Sequence, residues 1–232
     1  GVAGSTVNST PFDARITSQR AQYLYKASEL LDAGVVPGDL TSLQLFVHSK
    51  LSTRPFGNLT IRMAQTDLLY LYDGSVSVVG GMTTVYNSAS YSTIAGWNNF
   101  TFSTPFAWDG LSSVAIEICF DNGVADAGNS PDVIRTFVDG GTASQGNMYY
   151  QNGISCAQSF TSVSVFNLGR KPIIQLGNNA VGTEIETTLA SESSQHIGTS
   201  SSDYFYSNND RLMMRLTDVD ASLGCVSTSL EE

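Results

Sequence analysis

The stretch Thr104–Asn122, TPFAWDGLSSVAIEICFDN, constrains the fold of this chain more than any other. From Val114 to Phe120 apolar residues take every second position (Val114, Ile116, Ile118, Phe120), with Ala115, Glu117 and Cys119 between them. Side chains alternate across a strand with a period of two, so one face of this segment is wholly apolar and must lie against a core. Alternation assigns Glu117, on the other face, to the solvent side of a sheet. The segment is entered through Pro105, Phe106 and Trp108 and a turn at Asp109-Gly110, and it leaves at Asp121-Asn122-Gly123. Trp108, at a strand entry, is expected to plug the end of the core.

The same period recurs along the chain. Leu43, Leu45 and Val47 alternate with Gln44, Phe46 and His48; Leu59, Ile61 and Met63 with Thr60, Arg62 and Ala64; Phe100 and Phe102 with Asn99, Thr101 and Ser103. Turn clusters such as Arg54-Pro55-Phe56-Gly57-Asn58 and Asp73-Gly74 separate these runs. Gln19–Lys26 reads as a strand and Ala27–Ala33 as one or two helical turns ended by Gly34; periodicity alone also allows one helix over 18–33. Val133–Val138, Asn147–Gln151, Phe160–Phe166 and Pro172–Leu176 are further strands. Roughly nine or ten short strands with such punctuation suggest an antiparallel sandwich or barrel, and the fold expected over 1–176 is an all-β, jelly-roll-like sandwich. Residues 177–182 (GNNAVG) read as a linker. Residues 183–232, with weaker strands at Glu184–Leu189, Asp203–Ser207, Leu212–Leu216 and Gly224–Thr228, read as a small and incomplete β module.

Composition narrows the setting. Only 14% of residues are charged, and the formal net charge is −10 with just eleven Lys and Arg, so phosphate-backbone recognition and hence nucleic acid are excluded as partners. No apolar run approaches the length of a membrane helix, which argues against membrane insertion. The start, GVAGSTVNST, lacks a basic and an apolar leader segment, as expected for the mature or processed piece of a longer exported chain. The three cysteines, Cys119, Cys156 and Cys225, form no C-x-x-C pair. A disulfide between Cys119 and Cys156, in the NGISCA loop, is the expected pairing; the alternative leaves all three free.

The series Gln22-Tyr23-Leu24-Tyr25, Gly38-Asp39-Leu40-Thr41-Ser42-Leu43, Thr84-Val85-Tyr86, Gly96-Trp97-Asn98, Thr104-Pro105-Phe106, Trp108-Asp109-Gly110 and Glu117-Ile118-Cys119-Phe120-Asp121-Asn122 resembles the β-sandwich modules of secreted and cell-surface proteins of gliding bacteria that use type IX secretion. Arg170-Lys171-Pro172-Ile173-Ile174 is similar to the closing strand of that module, with Lys171 as an inserted residue. The resemblance implies an extracellular or cell-surface location and an adhesive or structural role, and it implies no particular chemistry.

Candidate sites remain. Asp121, Asn122, Asp126, Asn129 and Asp132 place five oxygen-bearing side chains in one twelve-residue loop, a calcium candidate without EF-hand spacing; loop composition alone explains them equally. Trp97, Tyr149 and Tyr150 are candidates for a platform that stacks on sugar rings of a polysaccharide or cell-surface glycan, the competing reading being burial in the core. Catalysis is not expected: His48 and His196 are the only histidines, and no nucleophile elbow or paired-histidine metal motif occurs. Glu117 is the acid to test if a carboxylate pair exists. The expected role is therefore a non-catalytic adhesion or structural module. An accessory carbohydrate-binding module of a secreted hydrolase is one alternative. A filament subunit pairing with copies of itself or other modules by strand exchange is another.

Overall fold

The computed structural model describes residues 5–7, 10–138, 145–146, 148–161, 170–178, 206–208 and 211–213. Its elements are β1 (Ser5–Val7), β2 (Ser18–Tyr25), α1 (Ala27–Asp32), β3 (Gly38–Ser49), β4 (Phe56–Thr66), β5 (Tyr72–Asp73), β6 (Thr83–Tyr91), β7 (Gly96–Trp108), β8 (Ser113–Asp121), β9 (Val133–Val138), β10 (Gln145–Gly146), β11 (Met148–Asn152), β12 (Arg170–Pro172), β13 (Ile174–Asn178), β14 (Tyr206–Asn208) and β15 (Arg211–Met213). The chain divides into two compact units, Gly1–Thr183 and Glu184–Glu232. Within the second, the antiparallel pair β14–β15 is described. The strand expectations at Glu184–Leu189 and Gly224–Thr228, and the stretch 162–166 of Phe160–Phe166, lie outside the described residues.

The first unit is all-β and built on two antiparallel sheets. One has five strands in the order β11-β2-β8-β4-β6. The other has six: β1-β9-β3-β13, with β7 also on β3 and β12 on β9. The strand Val114–Phe120 is central as its alternation demands, pairing with β2 on one side and β4 on the other. Val114, Ile116, Ile118 and Phe120 enter one core with Leu43, Leu45 and Val47 of β3, Leu59, Ile61 and Met63 of β4, and Phe100 of β7. Each such burial contributes roughly 1.5–3 kcal/mol of transfer free energy, most of it offset by chain entropy. Trp108 closes the core as expected: it is buried, and its indole N–H donates to the Ser112 carbonyl (2.8 Å).

Local chemistry sets the departures from regularity. The register of β7 on β3 shifts between Leu40 and Ser42, and Pro105 lies in the bulged segment, where its missing N–H removes no ladder bond. The turn from β7 to β8 places Gly110 at φ 76°, and a Cβ there would stand 2.3 Å from Pro37 Cγ, so glycine is required twice over. The segment Pro172–Leu176, expected as one strand, is two. Arg170–Pro172 pairs with β9, and Ile173 then hands the chain over, donating its N–H to Arg135 O while its own carbonyl accepts from Phe46 N. The strand runs on through Gly177-Asn178, which composition had assigned to the linker. Thr83–Tyr91 is an edge strand that periodicity does not announce, because Val85 is its one fully buried apolar residue.

Basic side chains tie the interior together. Lys171, the inserted residue, is fully buried; its ammonium donates to Leu24 O (2.9 Å) and Glu29 Oε2 (2.5 Å) and lies over the rings of Tyr25 and Phe137. Glu29 also accepts from the Lys26 N–H (2.8 Å), which caps α1 and sets it against the sandwich. Arg54 donates to three carbonyls, Ala14 O, Ile16 O and Val124 O, at 2.8–3.0 Å.

Candidate functional site

The two sheets present two outer faces, and the expected site residues divide between them. On the five-stranded sheet the register sets three rows across β2, β8 and β4: Leu24–Ala115–Ala64, Gln22–Glu117–Arg62 and Arg20–Cys119–Thr60. Glu117, expected to face solvent, is instead fully buried. The reason is a cover of loops. Leu71 and Val79 pack on the first row to form a second, small apolar cluster with Leu24, Ala64 and Ala115. Segment 153–160 covers the third row, because Cys156 is joined to Cys119 by a disulfide with a Cα–Cα distance of 5.6 Å.

Under that cover Glu117 is fully matched. Its Oε2 accepts from Arg20 Nε and Gln22 Nε2, each at 2.7 Å, and its Oε1 accepts from Arg62 Nε at 2.7 Å and from Arg62 Nη2. The same arginines hold the cover down. Arg62 Nη2 donates to Cys156 O (3.0 Å), Arg20 Nη1 donates to Gln158 O, and the Arg20 guanidinium lies 4.2 Å from the centroid of Phe160. Gln22 reaches the other loop, donating to Val79 O (2.9 Å) and accepting from Val79 N (3.1 Å). Glu117, Cys119 and Cys156 also place ligand-type atoms within 4.8 Å of one another, the one such group of three among the described residues. Two sulfurs bonded to each other offer no thiolate, and the carboxylate already faces two guanidinium groups, so the group has no ligand chemistry to give a cation.

The loop after β8 acts as a clasp. Asn122 Oδ1 accepts from Gly57 N (2.9 Å), and its Nδ2 donates to Ile16 O (3.3 Å). Asp121 accepts from Gly123 N, and Asp126 from Gly128 N and Asn129 Nδ2. Asn129 Oδ1 accepts from Thr53 N (3.0 Å). Asp132 is buried and takes four donors: the Leu51 and Ser52 N–H groups (2.8 and 2.7 Å) and the hydroxyls of Ser52 and Thr93. The structure does not gather Asp121, Asp126 and Asp132 into one cluster of ligand atoms.

The aromatic candidates part company. Trp97 lies on β7 in the six-stranded sheet, whereas Tyr149 and Tyr150 lie on β11, the edge of the five-stranded sheet, so the three do not form one platform. Tyr150 pairs with Ala21 and packs against the core, and burial pushes its phenol above its ordinary pKa. Trp97 is directly opposite Phe46 of β3, half-buried, with the two rings edge to face at 5.2 Å.

That pair starts a second set of rows, on the outer face of the six-stranded sheet. Beyond Phe46–Trp97 comes Gln175–Gln44–Asn99, across β13, β3 and β7, and beyond that Gly177–Ser42–Thr101. Asn99, Thr101 and Gln175 are exposed, and Gln44 and Ser42 are half-buried. Among the described residues neither Gln44 nor Gln175 makes a side-chain hydrogen bond, while Asn99 Nδ2 donates to Thr101 Oγ1 (3.2 Å). Sequence reasoning found Trp97 and missed its neighbours; the alternation of Gln44, Phe46 and His48 with the apolar residues of β3 was the available signal.

No family model, curated protein or solved structure matches this chain. The fold and the two faces therefore carry the functional argument unaided. No helix among the described residues is long and apolar enough to cross a membrane.

Proposed function

We propose that this chain is a non-catalytic extracellular module of a larger secreted or cell-surface protein, of the kind gliding bacteria export, and that it adheres to glycan through the outer face of its six-stranded sheet. The observation that carries the reading is the half-buried Trp97–Phe46 pair beside an open row of amides. Sugar rings present C–H faces to aromatic rings and hydroxyls to amides, so this juxtaposition offers both contacts on one rigid surface. The Cys119–Cys156 disulfide supports an oxidising destination. Glu117, the acid singled out for hydrolysis, supports the non-catalytic part: it lies buried and ion-paired with two arginines.

The test is affinity electrophoresis of the full chain through gels containing soluble polysaccharides. Retardation is expected on at least one, with no release of reducing ends, and Trp97→Ala is expected to weaken it at least tenfold while leaving the unfolding midpoint within a few degrees. Retardation unchanged by Trp97→Ala, or hydrolysis of the gel polysaccharide, overturns the reading.

A further inference from the structure

We infer that the ligand of this face is a neutral polysaccharide lying across the strands, read by an amide row formed by Gln44, Asn99 and Gln175; the inference rests on the glycan reading above and adds the ligand's charge class and its direction. The three amides come from three adjacent strands and are brought into line by register alone: Gln175 pairs with Gln44, and Gln44 with Asn99. Neighbouring strands lie about 4.8 Å apart, so the row extends roughly 10 Å at right angles to the strands. The aromatic pair runs parallel to it, about 6.7 Å away, two residues further along β3 and β7. An extended chain of sugar rings laid along this direction meets rings on one flank and amides on the other. A chain laid along the strands meets aromatic, amide and hydroxyl rows in succession and keeps each contact for a single residue only.

The charge class follows from what the rows contain. Phe46, Trp97, Gln44, Asn99, Gln175, Ser42, Thr101 and Gly177 include no Asp, Glu, Lys or Arg, in a chain with a net charge of −10. An acidic polysaccharide laid on these rows finds no cation within them to offset its own repulsion, and a basic one finds no carboxylate within them. Amides both donate and accept, which is the complement a hydroxyl needs. The Gln44 and Gln175 amides are available for that, since among the described residues no protein group engages them, and both stand on strands whose backbones are fixed by the ladder. Preorganisation of that kind reduces the ordering cost of binding.

The experiment uses the full chain, the Trp97→Ala variant and a triple Gln44→Ala/Asn99→Ala/Gln175→Ala variant. The gel probes are a neutral set (hydroxyethylcellulose, arabinoxylan, galactomannan) and an acidic set (alginate, polygalacturonate, chondroitin sulfate). The expected result is retardation by a neutral polymer, none by the acidic set, and at least a roughly tenfold weaker affinity for the triple variant, as the loss of three hydrogen bonds worth a few-fold each implies. Near-ultraviolet circular dichroism establishes that both variants are folded. Retardation by acidic polymers alone overturns the neutral class and leaves the glycan reading standing. Retardation by a neutral polymer that Trp97→Ala abolishes and the triple variant does not change overturns the amide row. Absence of retardation by every polymer overturns both.

Discussion

The two outer faces of the sandwich begin from the same rule and end in opposite states. On each, register lines up one side chain per strand into rows across three strands. On the five-stranded sheet the middle row is Gln22–Glu117–Arg62, and loops close over it. On the six-stranded sheet the middle row is Gln175–Gln44–Asn99, and it stays open to solvent. The charged row is covered and the neutral row is exposed, the reverse of the usual placement of charge. The difference lies in partners. Glu117 is buried because two guanidinium groups and an amide answer its oxygens, and because those guanidinium groups also hold the cover through loop carbonyls. A face becomes interior when its polar groups can be answered from above as well as from the side.

Removing Glu117 breaks the comparison most severely. Glu117→Ala leaves the half-buried guanidinium groups of Arg20 and Arg62 without their carboxylate, and a loss of about 3–5 kcal/mol is expected in denaturant unfolding. A loss below about 1 kcal/mol would mean that the covered face is not a closed interior. Opening the disulfide is next. Cys119 and Cys156 are 37 residues apart, and replacing both by alanine is expected to cost about 2–4 kcal/mol and to make the segment 153–160 the first site of proteolytic nicking.

The disulfide is legible in the sequence, and the burial of Glu117 is not. The alternation of Val114–Phe120 reveals which side of β8 enters the main core, and the cysteine spacing suggests its staple. The burial of Glu117 depends on Arg20 and Arg62, which stand on two other strands, and on loops whose Gly- and Ser-rich composition reads as ordinary connection. Lys171 shows the same limit. As an inserted residue it blurs a strand pattern, whereas in the fold it reaches 142 residues back to Glu29. Periodicity reports the side a residue faces; it does not report what comes to cover that side. Trp97 stands out in the sequence as an aromatic candidate, but its place on β7, its partnership with Phe46 and the three-strand amide row exist only once β3, β7 and β13 are in register.

A gentler probe is alkaline pH. Tyr91, next to Tyr86, has its phenol pushed up to about 12, chiefly by burial, and burial likewise raises Tyr23 and Tyr25. The folded chain therefore holds these protons more tightly than the unfolded chain, in which a tyrosine titrates near 10. The corresponding stability is intact below about pH 10 and declines as pH rises through about 12. Denaturation followed across that window should show the fall, and Tyr25→Phe should lessen its slope while losing the hydrogen bond to Pro172 O. The smallest effects belong to the open face. Thr101→Ala and Gln175→Ala are expected to move stability by no more than about 0.5 kcal/mol. A larger loss from either would show that this face, too, is bearing interior contacts.

The use made of basic side chains has a consequence for resistance to proteolysis. An endopeptidase that cleaves after Lys or Arg must draw that side chain into a pocket and the backbone around it into an extended groove. Arg20 and Arg62 are locked on Glu117 within strands, Arg54 is held by three carbonyls, and Lys171 is enclosed between Tyr25 and Phe137. None of these four can be presented to such an enzyme until the sandwich opens. Arg54 and Lys171 each precede a proline, Pro55 and Pro172, a bond that such enzymes cut poorly in any state. Cleavage after Arg20 and Arg62 then proceeds at the rate at which the fold comes apart.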